Sequence, residues 1–532
     1  MLPENWKNQW TAWNYEPNVQ DRAFRPSVMK FAWTKEAESL VATDLVIDDL
    51  VAGSTVDPKS KMEAYSRVYE KDLITYSIVL TLTDIQCNKN SYYKIQLLEE
   101  HYTSKYHVFT SWGRIGTQNG GSAIKTINSI QAAITYFEEL YKKKTQNPWS
   151  SNGTPLFQKQ PSCYVPIEIQ KIEKIKSIDN LSIPSKLPAQ LQDLIKMMFD
   201  VNSMKQTMKD FMLDLSKMTP GRLKRKQLDD AYQCLGQLYK LVENGGRNAD
   251  FIGLSNKFYS LIPHAFGTEN IPIIDTQTAI KEKALMVESL LEIEIAHSLM
   301  NAERYDTENS LDFQYAQLMT ELTLLDRTSE DFKLIEQYVQ NTHGDTHTDY
   351  RLEIQEVFRV DRFGEKKRFE KWEKLHNRML LWHGSRLTNY VGILSHGLKI
   401  APPEAPHRGD MFGKGIYFAD MVTKSANYCN PEQLLTNTSG LMLLCQVALG
   451  NMTESLYSKR VSVLPENIHS VKGVGCMFPD PSLSRRREDG VLIPMANITT
   501  IAKTYLWYNE YVVYDESQVK IEYLLKVFFK AR

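Results

Sequence analysis

A chain of 532 residues is too long for one hydrophobic core and implies about three or four domains. Its 42% hydrophobic and 24% charged residues are ordinary for a folded soluble protein, and a formal net charge of -1 excludes a uniformly basic nucleic-acid coat, leaving only local patches for such binding. The six cysteines, Cys87, Cys163, Cys234, Cys429, Cys445 and Cys476, include no Cys-x-x-Cys pair, so neither structural zinc nor a disulfide framework is expected, which fits a reducing compartment.

The opening MLPENWKNQW lacks the apolar core of a secretory signal, and no apolar run is long enough to span a bilayer, so no membrane association is expected. Residues 1–50 scatter Trp6, Trp10, Trp13 and Trp33 among polar residues without a period and read as a poorly ordered or partner-binding extension. From 51 to 165 the pattern is strand-like. Tyr76–Leu82 and Tyr92–Leu98 are rich in β-branched and aromatic residues, with turn chemistry at Asn88-Lys89-Asn90 between them. Tyr106–Ser111 is a further strand, followed by Trp112-Gly113-Arg114-Ile115-Gly116, read as a glycine-marked turn that exposes an aromatic beside a guanidinium. Ser129–Tyr141 is an amphipathic helix, and Lys142-Lys143-Lys144 reads as its solvated end.

Residues 166–186 are a lysine-rich linker. The period then becomes helical. Leu191, Leu194, Ile195, Met198 and Phe199 form one stripe, Leu228, Ala231, Leu235, Leu238, Tyr239 and Val242 another, and Ile280–Met300 a third helix. Such stripes bury one another in a bundle, over 187–304. Glu288 and Glu292, four apart, share a helix face, which need be no more than a solvent-facing stripe. The cluster GRLKRK is a weak candidate nuclear signal, or simply a solvated loop.

The segment 311–532 mixes strands and helices. Met379–Trp382 reads as a buried strand ending at His383-Gly384-Ser385, where glycine lets a ligand approach the backbone. Val391–Leu398 is a helix stopped by Gly397, and Pro402, Pro403 and Pro406 impose a loop. Ile416–Phe418 resumes a strand, and Ser425, Ala426 and Tyr428 begin a helical segment. Leu441–Leu449 is an apolar strand. Val519 to Phe529 alternates strictly, giving one apolar face after a turn at Asp515–Gln518, so Glu510 sits at the entry to a hairpin. Arg485-Arg486-Arg487 lies in an exposed loop. Two tyrosines, Tyr417 and Tyr428, with Ser425 and the Gly384 backbone between them, suit a flat ring bearing an amide. Taken singly each is more ordinary as a half-buried structural residue. The combination carries the reading.

WHGS, GKGIYFAD, KSANYC and YNEYVVYD, in that order and with GLKIAPPEAP between, resemble the catalytic domain of the poly(ADP-ribose) polymerases. NKNSYYKIQLLEE, SWGRIG and KKKTQNPW resemble the WGR domain, and 187–304 resembles the family's helical regulatory domain. The likeness is to the short WGR-containing, zinc-finger-free type that responds to DNA damage. It implies a multidomain α+β chain: a small β-rich WGR domain, an all-α helical regulatory bundle and a mixed α/β ADP-ribosyltransferase domain. It implies NAD as substrate, no metal, and transfer of ADP-ribose to proteins with elongation to poly(ADP-ribose) and release of nicotinamide. By that resemblance Gly384 and Ser425 bind the carboxamide with Ser385 beside them, Tyr417 and Tyr428 flank the ring, and His383 holds a hydroxyl of the adenosine ribose. Lys424 lies near the reacting ribose, Lys399 near the cofactor, and Glu288 and Glu292 face the adenosine side. Glu510 bonds the nicotinamide ribose and steadies an oxocarbenium-like state; Glu510, His383 and Tyr417 form the polymerase-type catalytic set. Trp112, Arg114, Asn90 and Tyr164 would face a DNA end, by stacking and phosphate contact. The implied partners are DNA strand breaks, with 5'-phosphorylated nicks or ends preferred, and histones, other chromatin proteins and the chain itself as acceptors, in the nucleus. A mono-ADP-ribosyltransferase and a non-catalytic DNA-break scaffold remain the alternatives.

Overall fold

The computed structural model describes residues 56–531 apart from 73, 150–156, 168–182, 214–222, 224, 301, 303–308, 345, 402–410, 430–436, 460, 462 and 502–503. The N-terminal extension, most of the linker and the proline-rich loop therefore lie outside the described residues. The chain divides into two compact units, one built from Pro26–Ser182 with Val201–Asn301, the other from Ile183–Asp200 with Ala302–Arg532.

The first unit opens on a sheet in the order Gly120–Ile127, Tyr106–Arg114, Lys89–Glu100, Ser77–Asp84, Val165–Ile167, with Ser66–Val68 on the Lys89–Glu100 strand. Apolar residues alternate toward one face, where Leu80, Ile95, Leu97 and Val108 pack under Ala133 and Phe137 of the helix Ile130–Thr145. Ser129 caps that helix by accepting from the Ala132 amide. Two expectations are corrected. Trp112-Gly113-Arg114 is not a turn but the end of a strand, paired with Tyr93, Tyr92 and Ser91 on one side and with Gly121 and Gly120 on the other. The glycines at 120 and 121 permit this: a Cβ on Gly120 would lie 2.1 Å from the Trp112 carbonyl oxygen. The strand Gly120–Ile127, mostly exposed at the sheet edge, was not foreseen.

The helices Val201–Asp210, Arg225–Asn244, Asn248–Leu261 and Gln277–Met300 complete this unit. Leu228, Ala231, Leu235 and Leu238 are fully buried, as their spacing predicts. The bundle and the sheet are joined by hydrogen bonds. Thr81 Oγ1 donates to the Ser260 carbonyl at 2.7 Å, and the Ile85 amide donates to Asn256 Oδ1 at 2.9 Å.

The helix Ala189–Met198, expected within the bundle, belongs instead to the second unit. Its buried Leu191, Leu194, Ile195 and Met198 have an apolar stripe of their own, and the preceding Ser185 hydroxyl and Lys186 amide bind Asp312, in the helix Ser310–Gln317.

That unit is built on a seven-stranded sheet, in the order Arg485–Arg486, Leu492–Ile493, Arg378–Gly384, Ser439–Ala448, Val519–Ala531, Tyr350–Arg362, Thr320–Leu324. Leu380, Trp382, Leu444, Tyr523 and Leu525 form its core with Ile335, Tyr338 and Val422, each such burial contributing about 1.5–3 kcal/mol. The last strand is central, so Glu522 and Leu524 are buried as well as the alternating set, and the single apolar face expected there is corrected. A smaller sheet runs Ile416–Phe418, Glu510–Val513, Ser470–Gly473, Met452–Ser455, and a third Ile498–Thr500, Gly475–Pro479, Leu506–Tyr508. Glu510 therefore heads a strand of the second sheet and does not enter a hairpin with Val519–Ala531. A 3-10 turn, Glu516–Gln518, capped by Asp515, carries the chain from one sheet to the other. Arg487 is not a free loop arginine: it pairs with buried Glu522 and with Asp489. Arg485 and Arg486 are exposed.

Candidate active site and nucleic-acid face

The large sheet and the small one meet where the His383 strand ends. Trp382 and Ala419 exchange backbone hydrogen bonds, Trp382 N donating at 2.8 Å and Ala419 N at 3.0 Å. This bridge lays Ile416–Phe418 beside His383, and Ile416–Phe418 pairs in turn with the Glu510 strand, Phe418 opposite Tyr511. Three sequence-distant motifs thus share one wall.

His383 is fully buried, its Nδ1 lying 2.9 Å from the Tyr417 carbonyl. A carbonyl only accepts, so Nδ1 carries the proton and Nε2 is the acceptor nitrogen. Burial lowers the ring's pKa to about 4, against a smaller raising effect of the Tyr417 carbonyl, so the imidazole is neutral at physiological pH. Tyr417 is buried; its hydroxyl donates to the Gly413 carbonyl at 2.7 Å and accepts from the Phe412 amide at 3.2 Å. The ring is fixed at both ends.

The short helix Val422–Ala426 supplies Lys424 and Ser425. Here Ser425 and Ala426 end a helix, where the sequence suggested that they begin one. Ser425 Oγ donates to the Trp382 carbonyl at 3.1 Å. Its own carbonyl presses on Gly384, where a Cβ would stand 1.9 Å from the Ser425 oxygen, so only glycine fits. Ser385 is buried and accepts from Asn389 Nδ2 at 2.9 Å, while Tyr428 is half-buried, its amide donating to the Ser425 carbonyl. Lys424 Nζ donates to the Asn509 carbonyl at 2.8 Å and lies 2.9 Å from Glu510 Oε1, both side chains almost wholly buried. A buried carboxylate needs such a partner, since an isolated charge loses far more hydration than the interior returns. Lys399 pairs with Glu516 at 3.6 Å.

Sequence reasoning missed what stands behind this wall. Asp420 Oδ2 accepts from Asn509 Nδ2 at 2.7 Å and from the Tyr511 hydroxyl at 3.0 Å. His347 Nδ1 lies 3.0 Å from Thr423 Oγ1, its Nε2 lies 2.6 Å from Asn427 Nδ2, and its ring stacks on Tyr508 with centroids 5.4 Å apart. The hint available was only that Asn509 and Tyr511 flank Glu510; nothing in the sequence ties Asp420 or His347 to it.

In the first unit Glu288 and Glu292 are buried on Gln277–Met300, not solvent-facing. Burial raises Glu292 to about 8, Arg225 opposing and Glu294 adding to the shift. Trp112 is 40% exposed, stacks on Tyr93 with centroids 6.1 Å apart and lies close over Gly121, so an indole remains partly accessible at the sheet surface. Lys144 Nζ stands 4.0 Å over Tyr93 and 5.6 Å from the half-buried Tyr164, and Lys89 5.9 Å from Tyr164. Lys144 is therefore no solvated helix end. It lies three residues beyond buried Tyr141 and seven beyond Phe137, so helical spacing already placed it on the packed face. Arg114 and Asn90 face the helical segment of the same unit. Arg114 donates to the carbonyls of Asn88, Gly267 and Glu269, at 2.5 Å for Gly267 and 3.1 Å for Glu269, and Asn90 Nδ2 donates to the His264 carbonyl at 2.8 Å.

The family model of the poly(ADP-ribose) polymerase catalytic domain matches residues 329–529, that of the regulatory domain 185–315, and that of the WGR domain 76–155. A poly [ADP-ribose] polymerase of Sarcophaga peregrina is 47% identical over 97% of this chain and 52% of its own length. Poly [ADP-ribose] polymerase 1 of Gallus gallus is 44% identical over 97% of this chain and 51% of its own. Poly [ADP-ribose] polymerase 2 of Homo sapiens is 39% identical over 89% of this chain and 83% of its own. Sheet, wall and matches together define a transferase domain of the ADP-ribosylating class. The chain belongs to the poly(ADP-ribose) polymerase family, and it spans about half the length of the first curated relatives it matches.

Proposed function

We propose that this chain cleaves NAD at the bond from ribose to nicotinamide and transfers ADP-ribose to proteins, itself included, and onward into poly(ADP-ribose), when its WGR region engages a DNA break. The observation that carries the reading is the convergence of His383, Tyr417, Ser425 and the Lys424–Glu510 pair on one wall from separate elements.

Cleavage passes through an oxocarbenium-like ribose, and a catalyst gains rate only from contacts that strengthen as that charge develops. Glu510 supplies a buried carboxylate whose field is little screened by water. Lys424 pairs with that carboxylate in the resting site, and its ammonium is itself anchored by the Asn509 carbonyl. The neutral His383, with Nε2 as acceptor, suits a ribose hydroxyl. The Gly384–Ser425 approach leaves backbone polar groups and a hydroxyl for a carboxamide, and Tyr417 and Tyr428 supply ring faces. Among the described residues no group of acidic, histidine or cysteine side chains is arranged to hold a metal.

Trp112, Tyr93, Tyr164, Lys144 and Lys89 form an aromatic face with cations over it, which suits a sugar or base at a strand end and its phosphates. A nicked, 5'-phosphorylated duplex is the proposed activator, histones and other chromatin proteins the proposed acceptors, and the nucleus the proposed setting. The test is labelled NAD incubated with the purified chain, with and without nicked DNA, and the products sized. Long, DNA-dependent polymer is expected. Single-unit products would make it a mono-ADP-ribosyltransferase, and no labelled product a scaffold.

A further inference from the structure

The residues on either side of Glu510, Asn509 and Tyr511, are both gripped by one carboxylate, that of Asp420. Asp420 follows the Ile416–Phe418 strand and is 2% exposed. Its Oδ2 takes the Asn509 amide and the Tyr511 hydroxyl, while Oδ1 has no hydrogen-bond partner among the described residues. Asn509 immediately precedes the Glu510–Val513 strand and Tyr511 is its second residue; both side chains reach Asp420, while Glu510 between them pairs with Lys424. Asn509 is anchored twice more: its Oδ1 accepts from the Gly475 amide at 3.0 Å, and its carbonyl accepts from Lys424. A carboxylate left with one bare oxygen is costly in a dry interior, and such a cost persists where the group holds something else in place.

We infer that Asp420 is a positioning residue for the transferase reaction, clamping Asn509 and Tyr511 from behind so that the Glu510 carboxylate is held toward the Lys424 ammonium and the ribose site. The inference rests on the transferase reading above. Asp420 touches no reacting atom; it acts through the backbone of the Glu510 strand. Because Asp420 directly follows the bridge between Trp382 and Ala419, the same clamp ties Glu510 to the strand that carries His383.

The experiment measures NAD turnover in the presence of nicked DNA, and the affinity for 3-aminobenzamide, a nicotinamide mimic, in the purified chain and its variants. In Asp420→Ala, kcat should fall at least about tenfold, with KM for NAD and mimic affinity within about twofold of the parent. Asp420→Asn, whose amide oxygen still accepts, should recover most of the rate, and Tyr511→Phe, a milder change that removes one donor, should give an intermediate loss. In a Glu510→Gln background Asp420→Ala should cost nothing further, because the group it positions is already gone. A parent that turns over NAD while Asp420→Ala matches it, or loses rate equally in both backgrounds, overturns the inference alone. Loss of mimic affinity in step with rate does the same, by marking a general structural role. A parent with no NAD turnover ends the transferase reading, and this inference with it.

Discussion

Gly384 shows how narrowly single residues are determined. A methyl group there would stand 1.9 Å from the Ser425 oxygen and 2.7 Å from its carbonyl carbon, both backbone atoms that cannot rotate away. Gly384→Ala is expected to cost about 1–3 kcal/mol of stability and to weaken binding of a nicotinamide mimic at least about tenfold, checked by urea unfolding and calorimetry. Glu510→Gln keeps the shape and removes the charge, so NAD turnover should fall at least about 100-fold while mimic binding persists. Buried ionisable groups set the response to pH. His383 and His297 are both held near 4 by burial, against 6.5 when solvated. The unfolded chain takes these protons first, so their stability contribution is intact above about 6.5 and is lost as pH falls toward 4, at up to about 1.4 kcal/mol per pH unit for each. Glu292 has the opposite sign: its pKa rises from 4.5 to about 8, so stability is present below 4.5 and lost as pH climbs to 8. Glu292→Gln should therefore raise the unfolding midpoint at pH 8 and leave it unchanged at pH 4.5. Equal shifts at both values would exclude a protonated Glu292.

At the scale of elements, the join between the WGR sheet and the helices of its unit is made by side chains on backbone carbonyls. Arg114 reaches Gly267 and Glu269, Asn90 reaches His264, and Thr81 reaches Ser260. Hydrogen bonds from a charged donor contribute about 1.5–3 kcal/mol each, so Arg114→Ala should lower the midpoint of urea unfolding of the first unit and expose 264–269 to hydrogen exchange. A wild-type exchange pattern there would show that the join does not depend on Arg114. The strand that carries Trp112 and Arg114 reads from sequence as a turn, because glycines usually mark turns. Here the glycines at 113, 120 and 121 let two strands approach around an indole. Lys144 departs from its expectation for a related reason: a run of lysines looks solvated, yet helical spacing brings one of them back over Tyr93. The same rule of spacing read Leu228, Ala231, Leu235 and Leu238 correctly, because an apolar stripe has one place to go.

At the scale of the whole molecule, the helix Ala189–Met198 decides where a regulatory deletion should begin. Its partners lie in the catalytic unit, so removing residues from 187 would strip that unit of a packed helix. Removing Val201–Asn301 spares it. If the helical segment restrains the catalytic unit until DNA binds, that deletion should raise NAD turnover in the absence of DNA by at least about tenfold, a coupling of about 1.4 kcal/mol. A folded deletion variant that still requires nicked DNA would falsify the restraint. By itself the sequence determined the composition of the chain, a β-rich, a helical and a mixed segment, and the motifs of the nicotinamide pocket, because periodicity and close-packed glycines are local properties. Only the tertiary structure decided that Lys424 pairs with Glu510, that Asp420 grips the residues on either side of it, and that Arg114 reaches the Gly267 and Glu269 carbonyls, more than 150 residues away. Those pairings depend on which strands lie side by side, and no pattern within a single stretch of chain encodes that.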